Sequence, residues 1–306
     1  MISNLSPANQ AFLANMDRLQ LNVQSASMEA SSGKRVNVAS DDPNQIDTIL
    51  QLRTDQAHNS QIQENLAVAQ ADASAADGAL SSATQLMDRA TTLAAQGSNF
   101  TVDATGRQSI AAEIQSIQEQ MVNISATTVQ GRYIFGGDQD SSPPYAFSLA
   151  SANGVTQLTN SAATRQVENS SGGSFSVSQN AQQIFDTQNA DGTTAADNVF
   201  AALNNLRLGL LANNTAQITA ASSSIQLAAT RLNTAQAFYG SVENRITDAT
   251  NYSSNYDVQL KTELSQKQDA DITAAALAVT QGTTEMQAAF QMQAKMPHTS
   301  LFDFMG

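Results

Sequence analysis

A chain of 306 residues has room for two or three domains, and its 14 basic against 27 acidic side chains leave a net charge of −13. That balance argues against binding to nucleic acid or to an anionic membrane surface. With no Cys, structural disulfides and thiolate metal sites are excluded, and only His58 and His298 are left as imidazole ligands.

The chain opens Met1-Ile2-Ser3-Asn4-Leu5, without the basic and apolar regions of a cleavable signal, and no apolar run approaches the ~20 residues of a membrane span. The expectation is a soluble cytosolic protein without membrane insertion, or one exported by a route that leaves no ordinary signal. Phe12, Met16, Leu19, Val23, Ala26 and Ala30 step by four and three. They predict a short amphipathic helix that ends at Gly33, a natural C-cap. From Ser31 to Pro43 the sequence is polar and has no helical period, and it closes as a helix start. Ser40 or Asp41 can cap the free amides, and Pro43 suits the first turn. Asp41-Asp42 therefore reads as capping chemistry rather than as an acid–base pair. Lys34-Arg35 reads as a solvated turn favourable to the preceding helix C-terminus.

A long helix is predicted from Pro43 to about Gln96, stopping at Gly97. Within it Ile62, Leu66, Ala69, Ala73, Ala76, Leu80, Ala83, Met87, Ala90 and Ala94 form an unbroken heptad seam. Residues 62–94 alone would span ~50 Å, about the width of a compact ball of the whole chain, so an elongated rod is expected. Most seam positions are Ala, so stability must come from close helix approach repeated along the length. After a loop from Ser98 to Gly106, Ile110, Ile114, Ile117, Met121 and Ile124 carry a second helix back.

At Gly131 the character changes to Gly131-Arg132-Tyr133-Ile134-Phe135-Gly136-Gly137, a turn with an aromatic plug in which Tyr133 and Phe135 alternate on one strand face. It lacks the spacing and the Lys-Ser/Thr ending of a phosphate loop. Thr164–Val167 and Ser174–Val177 suggest hairpins, and residues 132 to about 196 read as a small β-rich insertion that folds as an independent unit. Helix resumes near Asp197 with Val199, Leu203, Leu206 and Leu210 and passes into a long returning helix. Its seam, Ile218, Ala221, Ile225, Ala228, Leu232, Ala235, Tyr239, Val242, Ile246, Ala249, Tyr256 and Leu260, has only Ser253 as a polar member. A polar patch at Ser265–Asp271 precedes a last helix with Ile272, Ala276, Val279, Met286 and Phe290 on one face, ended by Pro297.

The predicted fold is mainly α: long heptad-patterned helices with the N- and C-termini paired at one end and the β-rich insertion at the other. Three divisions follow: a terminal coiled-coil assembly domain (1–40 and 268–306), a helical rod (41–131 and 197–267) and the outer insertion (132–196). The helical seam is carried by Ile62, Leu66, Leu80, Met87, Ile225, Leu232, Val242 and Ile246. Candidate assembly residues are Phe12, Met16, Leu19, Val23, Ile272, Val279, Met286 and Phe290, with Leu301 and Phe302 in the apolar tail. The terminal helices bury so little that they are expected to order only against neighbouring subunits. No catalytic, cofactor or metal constellation emerges.

The run Ser31-Ser32-Gly33-Lys34-Arg35-Val36-Asn37 with Ser40-Asp41-Asp42-Pro43, and the mirrored terminal helices, resemble the flagellin-type export substrates of bacterial flagella over about residues 1–137 and 197–306. Its motif positions here are Ser32, Gly33, Arg35, Asp41, Asp42 and Pro43. Within that group, Gly131, Tyr133, Phe135, Gly136 and Gly137 and the ending Ser300-Leu301-Phe302-Asp303-Phe304 are similar to hook-associated proteins of the FlgL type, while Met305-Gly306 departs from the commoner ending. The resemblance implies a non-enzymatic structural subunit at the hook–filament junction, exported unfolded by the flagellar type III apparatus and located outside the cell. Its implied partners are a ring of like subunits, a hook-side junction protein, flagellin, and an export chaperone in the cytoplasm. Filament flagellin and a cytosolic coiled-coil scaffold are the alternatives, and an enzyme lodged in 132–196 is disfavoured because few acid–base pairs converge there.

Overall fold

The computed structural model describes residues 7–295, with side chains from Asn9 onward. In chain order it comprises α1 (Pro7–Ser32), α2 (Pro43–Ser98), α3 (Ala104–Ser125), β1 (Thr128–Val129), β2 (Arg132–Tyr133), β3 (Tyr145–Phe147), β4 (Val155–Gln157), β5 (Gln166–Glu168) and β6 (Ser174–Ser176). There follow α4 (Ala181–Phe185), α5 (Val199–Leu211), α6 (Thr215–Gln268) and α7 (Ile272–Lys295). The strands form three antiparallel pairs, β1-β2, β3-β4 and β5-β6. The chain falls into two units: residues up to His58 together with those from Asp257 onward, and residues Asn59–Tyr256. The divisions lie inside α2 and α6, just before the α2 seam that starts at Ile62 and near the far end of the α6 seam, rather than at the ends of the helices.

In the Asn59–Tyr256 unit the predicted seams are buried along their length. Leu66, Ala73, Leu80, Ala83, Met87, Ala90 and Ala94 of α2 and Ile218, Ile225, Ala228 and Leu232 of α6 are fully enclosed. The two helices run antiparallel, with the Ser74 hydroxyl of α2 donating to Glu243 Oε1 of α6 at 2.7 Å. Because Ala is small, the helices supply little side-chain area to each other, and the remaining faces are covered by other elements. The α2–α3 turn is closed by Arg107, whose Nε donates to the Gly97 carbonyl at 2.8 Å and whose Nη2 donates to the Asn99 carbonyl at 3.1 Å. Asp103 caps α3 by accepting the Gly106 amide at 2.8 Å. Arg107 also donates to Asn213, whose φ of +52° marks a break between α5 and α6. The helix expected to run on from Asp197 is thus two helices.

The β-rich segment does not stand apart. Ile134, Phe135, Tyr145, Val155, Val167, Phe175, Ile184 and Phe185 belong to the same buried cluster as the α2, α3 and α6 seams. Phe135 meets Phe185 edge-on at 5.7 Å and Tyr239 of α6 at 6.3 Å between ring centroids. An isolated two-stranded hairpin is marginal in water, and the β3-β4 and β5-β6 pairs have two buried residues each to offer, Tyr145 and Val155 in one and Val167 and Phe175 in the other, so they bury them against the helices. The expectation of an independently folding insertion is corrected accordingly. The aromatic motif is corrected too: β2 ends at Tyr133, which is half-buried, while Ile134 and Phe135 both enter the core, so Tyr133 and Phe135 do not share a strand face.

In the other unit, α1 and α7 lie side by side and antiparallel. Gln293 Nε2 faces Asn9 Oδ1 at 3.5 Å, and Gly282 sits against Val23 and Leu19. Both segments, expected to order only in an assembly, are helical, yet Ala26 of α1 and Ala275 and Gly282 of α7 are their only buried residues among those described.

Candidate assembly interface

The polar run after α1 builds a joint rather than a solvated turn. Gly33, at φ +69°, turns the chain out of α1, and its amide bonds the Glu29 carbonyl at 2.9 Å. The emerging strand meets the end of α6. The Arg35 and Val36 amides donate to the Gln268 carbonyl at 2.7 and 3.3 Å, and the Ala270 amide donates to the Gly33 carbonyl at 3.0 Å. Lys34 and Asp269 thereby form an antiparallel bridge. Arg35 adds its side chain: Nη2 donates to the Lys267 carbonyl at 2.9 Å, while Nη1 pairs with Asp42 at 3.1 Å. The last carbonyls of a helix have no partner within it and carry partial negative charge, so a guanidinium there satisfies both needs. The buried Gln268 side chain completes the seam by donating to the Val36 carbonyl at 3.4 Å.

The acidic pair serves the same joint. Asp41 Oδ2 accepts the Asn37 and Val38 amides, both at 2.8 Å, and these two bonds hold its carboxyl below the usual carboxylate range, Val38 contributing most. Neither Ser40 nor Asp41 caps α2. The first amides to be satisfied, those of Gln45 and Ile46, reach the backbone carbonyl of Asp42 at 3.1 and 3.2 Å, immediately before Pro43 opens the helix. The Ser32 hydroxyl accepts the Lys34 amide at 3.1 Å. On the far side Asp271 caps α7 through the Thr273 and Ala274 amides at 2.9 and 3.1 Å.

Beyond the joint, Phe12, Met16, Leu19 and Val23 are half-buried on α1. On α7 the inward stripe is Ala275, Val279, Gly282, Met286 and Ala289, stepping by four and three. Of the predicted α7 residues, Val279 and Met286 lie on that stripe, whereas Ile272 and Phe290 are exposed at 57% and 59%. At Gly282 a Cβ would overlap the Val23 side chain, so the missing side chain is what lets the helices approach. Leu13, Leu21, Met28, Leu277 and Met292 are exposed as well, a set that the face-by-face reading did not single out. Leu301 and Phe302 lie outside the described residues.

The second motif is placed in the Asn59–Tyr256 unit. Gln130 and Gly131, at φ +51° and +79°, make the two-residue turn between β1 and β2. Gly136 is packed so closely that a Cβ would sit 3.0 Å from the Gln139 carbonyl oxygen, and Gly137 adopts φ +64°. Arg132, half-buried, joins a four-charge group: Arg165 donates to Asp72 of α2 at 2.9 Å and to Asp140 at 2.5 Å, while Arg132 lies 3.4 and 3.7 Å from the same two carboxylates. Arg165 and Asp72 were missed because their separation of 93 residues leaves no local signal. The seam residues Ile62, Leu66, Leu80, Met87, Ile225, Leu232, Val242 and Ile246 are all buried. Among the described residues no cluster of His, Cys, Asp or Glu could hold a metal ion, and no helix is long and apolar enough to cross a membrane.

Residues 2–140 match the bacterial flagellin N-terminal helical region and residues 212–305 the bacterial flagellin C-terminal helical region. Flagellar hook-associated protein 3 of Escherichia coli K12 is 31% identical over 182 residues, a stretch that spans 57% of this chain and only 56% of that relative's length. Two solved structures share the fold. Xanthomonas campestris FlgL has a TM-score of 0.57 at 18% identity, covering 69% of this chain and 98% of that one. The flagellar junction protein FlgL of Legionella pneumophila has a TM-score of 0.55 at 13% identity, covering 65% and 99%.

Proposed function

The chain belongs to the bacterial flagellin family of flagellar proteins, and on that premise we propose that it is a non-enzymatic structural subunit of the hook–filament junction. In this reading it is exported from the cell, forms a ring of like subunits, and joins a hook-side junction protein to the first flagellins of the filament. An export chaperone would hold it in the cytoplasm beforehand.

The observation that carries the reading is the α1–α7 pair. Two helices meet along a thin stripe while Leu13, Leu21 and Met28 on one and Ile272, Leu277, Phe290 and Met292 on the other face solvent. Exposed apolar side chains repeated along both helices are a surface that stays uncovered in a monomer and is buried by further helices on assembly. Helices on neighbouring subunits are the partners this pattern fits.

Deleting the gene tests the proposal. Cells should make hooks without filaments and shed monomeric flagellin into the medium, and the intact gene should restore filaments. Normal filaments in the deleted strain would refute it.

A further inference from the structure

We propose that Phe100 is a docking knob for a second copy of this chain, seated in that copy's groove between α5 and α6. The proposal rests on the junction reading for its setting and deepens it by naming one surface through which like subunits meet. Phe100 is 90% exposed, more than any other large apolar side chain among the described residues. Its backbone is nevertheless held. Asn99 Oδ1 accepts the Thr101 amide and hydroxyl, both at 3.0 Å, and the Asn99 carbonyl accepts the Val102 amide at 3.2 Å and Arg107 Nη2 at 3.1 Å. Arg107 also bonds Asn213, which ties the α2–α3 turn to the α5–α6 turn. A phenyl group fixed in water by its own turn adds nothing to the core of the monomer, whereas a partner that covers it gains apolar burial without having to order the loop.

The groove belongs to the same unit. Gly209 lets α5 lie against the start of α6, since a Cβ there would stand 3.2 Å from both the Gln217 Cβ and the Ile218 amide nitrogen. Leu208, Ala220 and Ala221 line a cleft of about 290 Å³, with Asn205, Gln217 and Ser224 around it. A cavity of ~150 Å³ already accepts benzene, so a phenyl group fits. Charge selects a like copy as the occupant. Copies of a chain carrying −13 repel one another, and 13% of its residues are charged, yet none is charged from Leu208 to Thr230 or from Ala90 to Val102. Asp103 and Arg107, which follow the knob, are engaged on the Gly106 amide and the Gly97 carbonyl. Two acidic copies therefore meet here without pressing like charges together, and a cationic partner would find no free carboxylate in these segments to pair with. Knob and groove are different places on one chain, so each copy gives one contact and receives one, the arrangement that can close into a ring of subunits.

Photochemical capture in assembled flagella tests this. Full-length chain with p-benzoylphenylalanine in place of Phe100, expressed in the deletion strain and irradiated in isolated flagella, should give a covalent dimer of this chain joined at residues 205–224. The same amino acid in place of Asn205, which is exposed, should mark the segment around Phe100, and it carries the test if the bulkier group at position 100 impairs incorporation. Phe100→Asp should leave the melting temperature of the purified chain unchanged yet lower its amount in flagella about fivefold or more, while Phe100→Leu stays closer to the parent. An adduct from position 100 to another flagellar protein, a dimer joined outside 205–224, no adduct from either position, or parent-like incorporation of Phe100→Asp overturns the docking. Absence of the parent chain from flagella overturns the junction reading alone, and irradiation of the concentrated purified variant then judges the contact by the same dimer.

Discussion

Asn59 of α2 and Ser253 of α6, 194 residues apart, exchange two hydrogen bonds inside an otherwise apolar seam. Asn59 Nδ2 donates to the Ser253 carbonyl at 2.9 Å, and the Ser253 hydroxyl donates to Asn59 Oδ1 at 2.7 Å. The Ser170 hydroxyl from the β5–β6 turn reaches the same oxygen at 2.6 Å. An Ala-rich seam tolerates slips of one heptad, because Ala then meets Ala again; a buried polar pair at one place does not. Ser253, the single polar member of its seam, thus marks the register of the pair.

Asn59→Ala should therefore cost about 1–3 kcal/mol, because it leaves the Ser253 and Ser170 hydroxyls without their acceptor in a buried site. Denaturant unfolding of the purified chain measures this. A midpoint unchanged from the parent protein would show that the two hydroxyls find other partners and that the pair does not set the register.

The shared core makes the β-rich segment indispensable to the helices. Replacing residues 138–195 with a short Gly-Ser linker removes Phe185, which packs on both Phe135 and Phe200, and should give a chain with helical circular dichroism but no cooperative melt. Phe135→Ala alone should destabilise by about 3–5 kcal/mol. A linker variant that melts as sharply as the parent would mean that the helical seams close without the aromatic cluster.

How much of this was legible follows from the range of each interaction. The seams through Leu66 and Leu232 could be read because their period is local, and burial only requires some partner of equal length. The joint could not, since Arg35 looks like a turn residue until Lys267 is brought beside it. The contact at Gly282 had no signal either, because a helix stripe read by hydrophobicity gives no weight to a missing side chain. The strands are two or three residues long and carry no period from which burial of Phe135 or Phe175 could be argued. The motif residues Gly33, Asp41, Asp42 and Pro43 were recognisable as a set, although the roles of the two carboxylates emerged only from the fold.

Alkaline pH should loosen the Asn59–Tyr256 unit. Burial pushes the Tyr239 hydroxyl up to about 12 from an ordinary value of 10.0, and burial raises that of Tyr145 as well. Tyr239 donates to the Gln179 carbonyl at 3.4 Å and accepts the Gln179 amide at 3.1 Å. A raised acid pKa means that the folded state keeps a proton the unfolded chain releases. The stabilisation is complete below the unfolded value of 10.0 and is lost as pH rises from there through about 12. The denaturation midpoint should fall across this window, and less steeply in Tyr239→Phe. Equal slopes in the two proteins would contradict the assignment to Tyr239.

Amide hydrogen exchange on the free chain should separate the two helix pairs. The fully buried seams of α2 and α6 should exchange slowly, whereas α1 and α7, with their thin stripe, should exchange quickly and gain protection only in an assembled state. Strong protection of Met16–Val23 and Val279–Phe290 in dilute monomer would mean that α1 and α7 need no neighbour to be stable.

The most direct measurement of the central claim is the position of the protein on the flagellum. Electron microscopy of intact flagella labelled with an antibody against this chain should show one labelled point, between hook and filament. Label distributed along the filament would make the chain a filament subunit, and label confined to the cell body would remove it from the junction altogether.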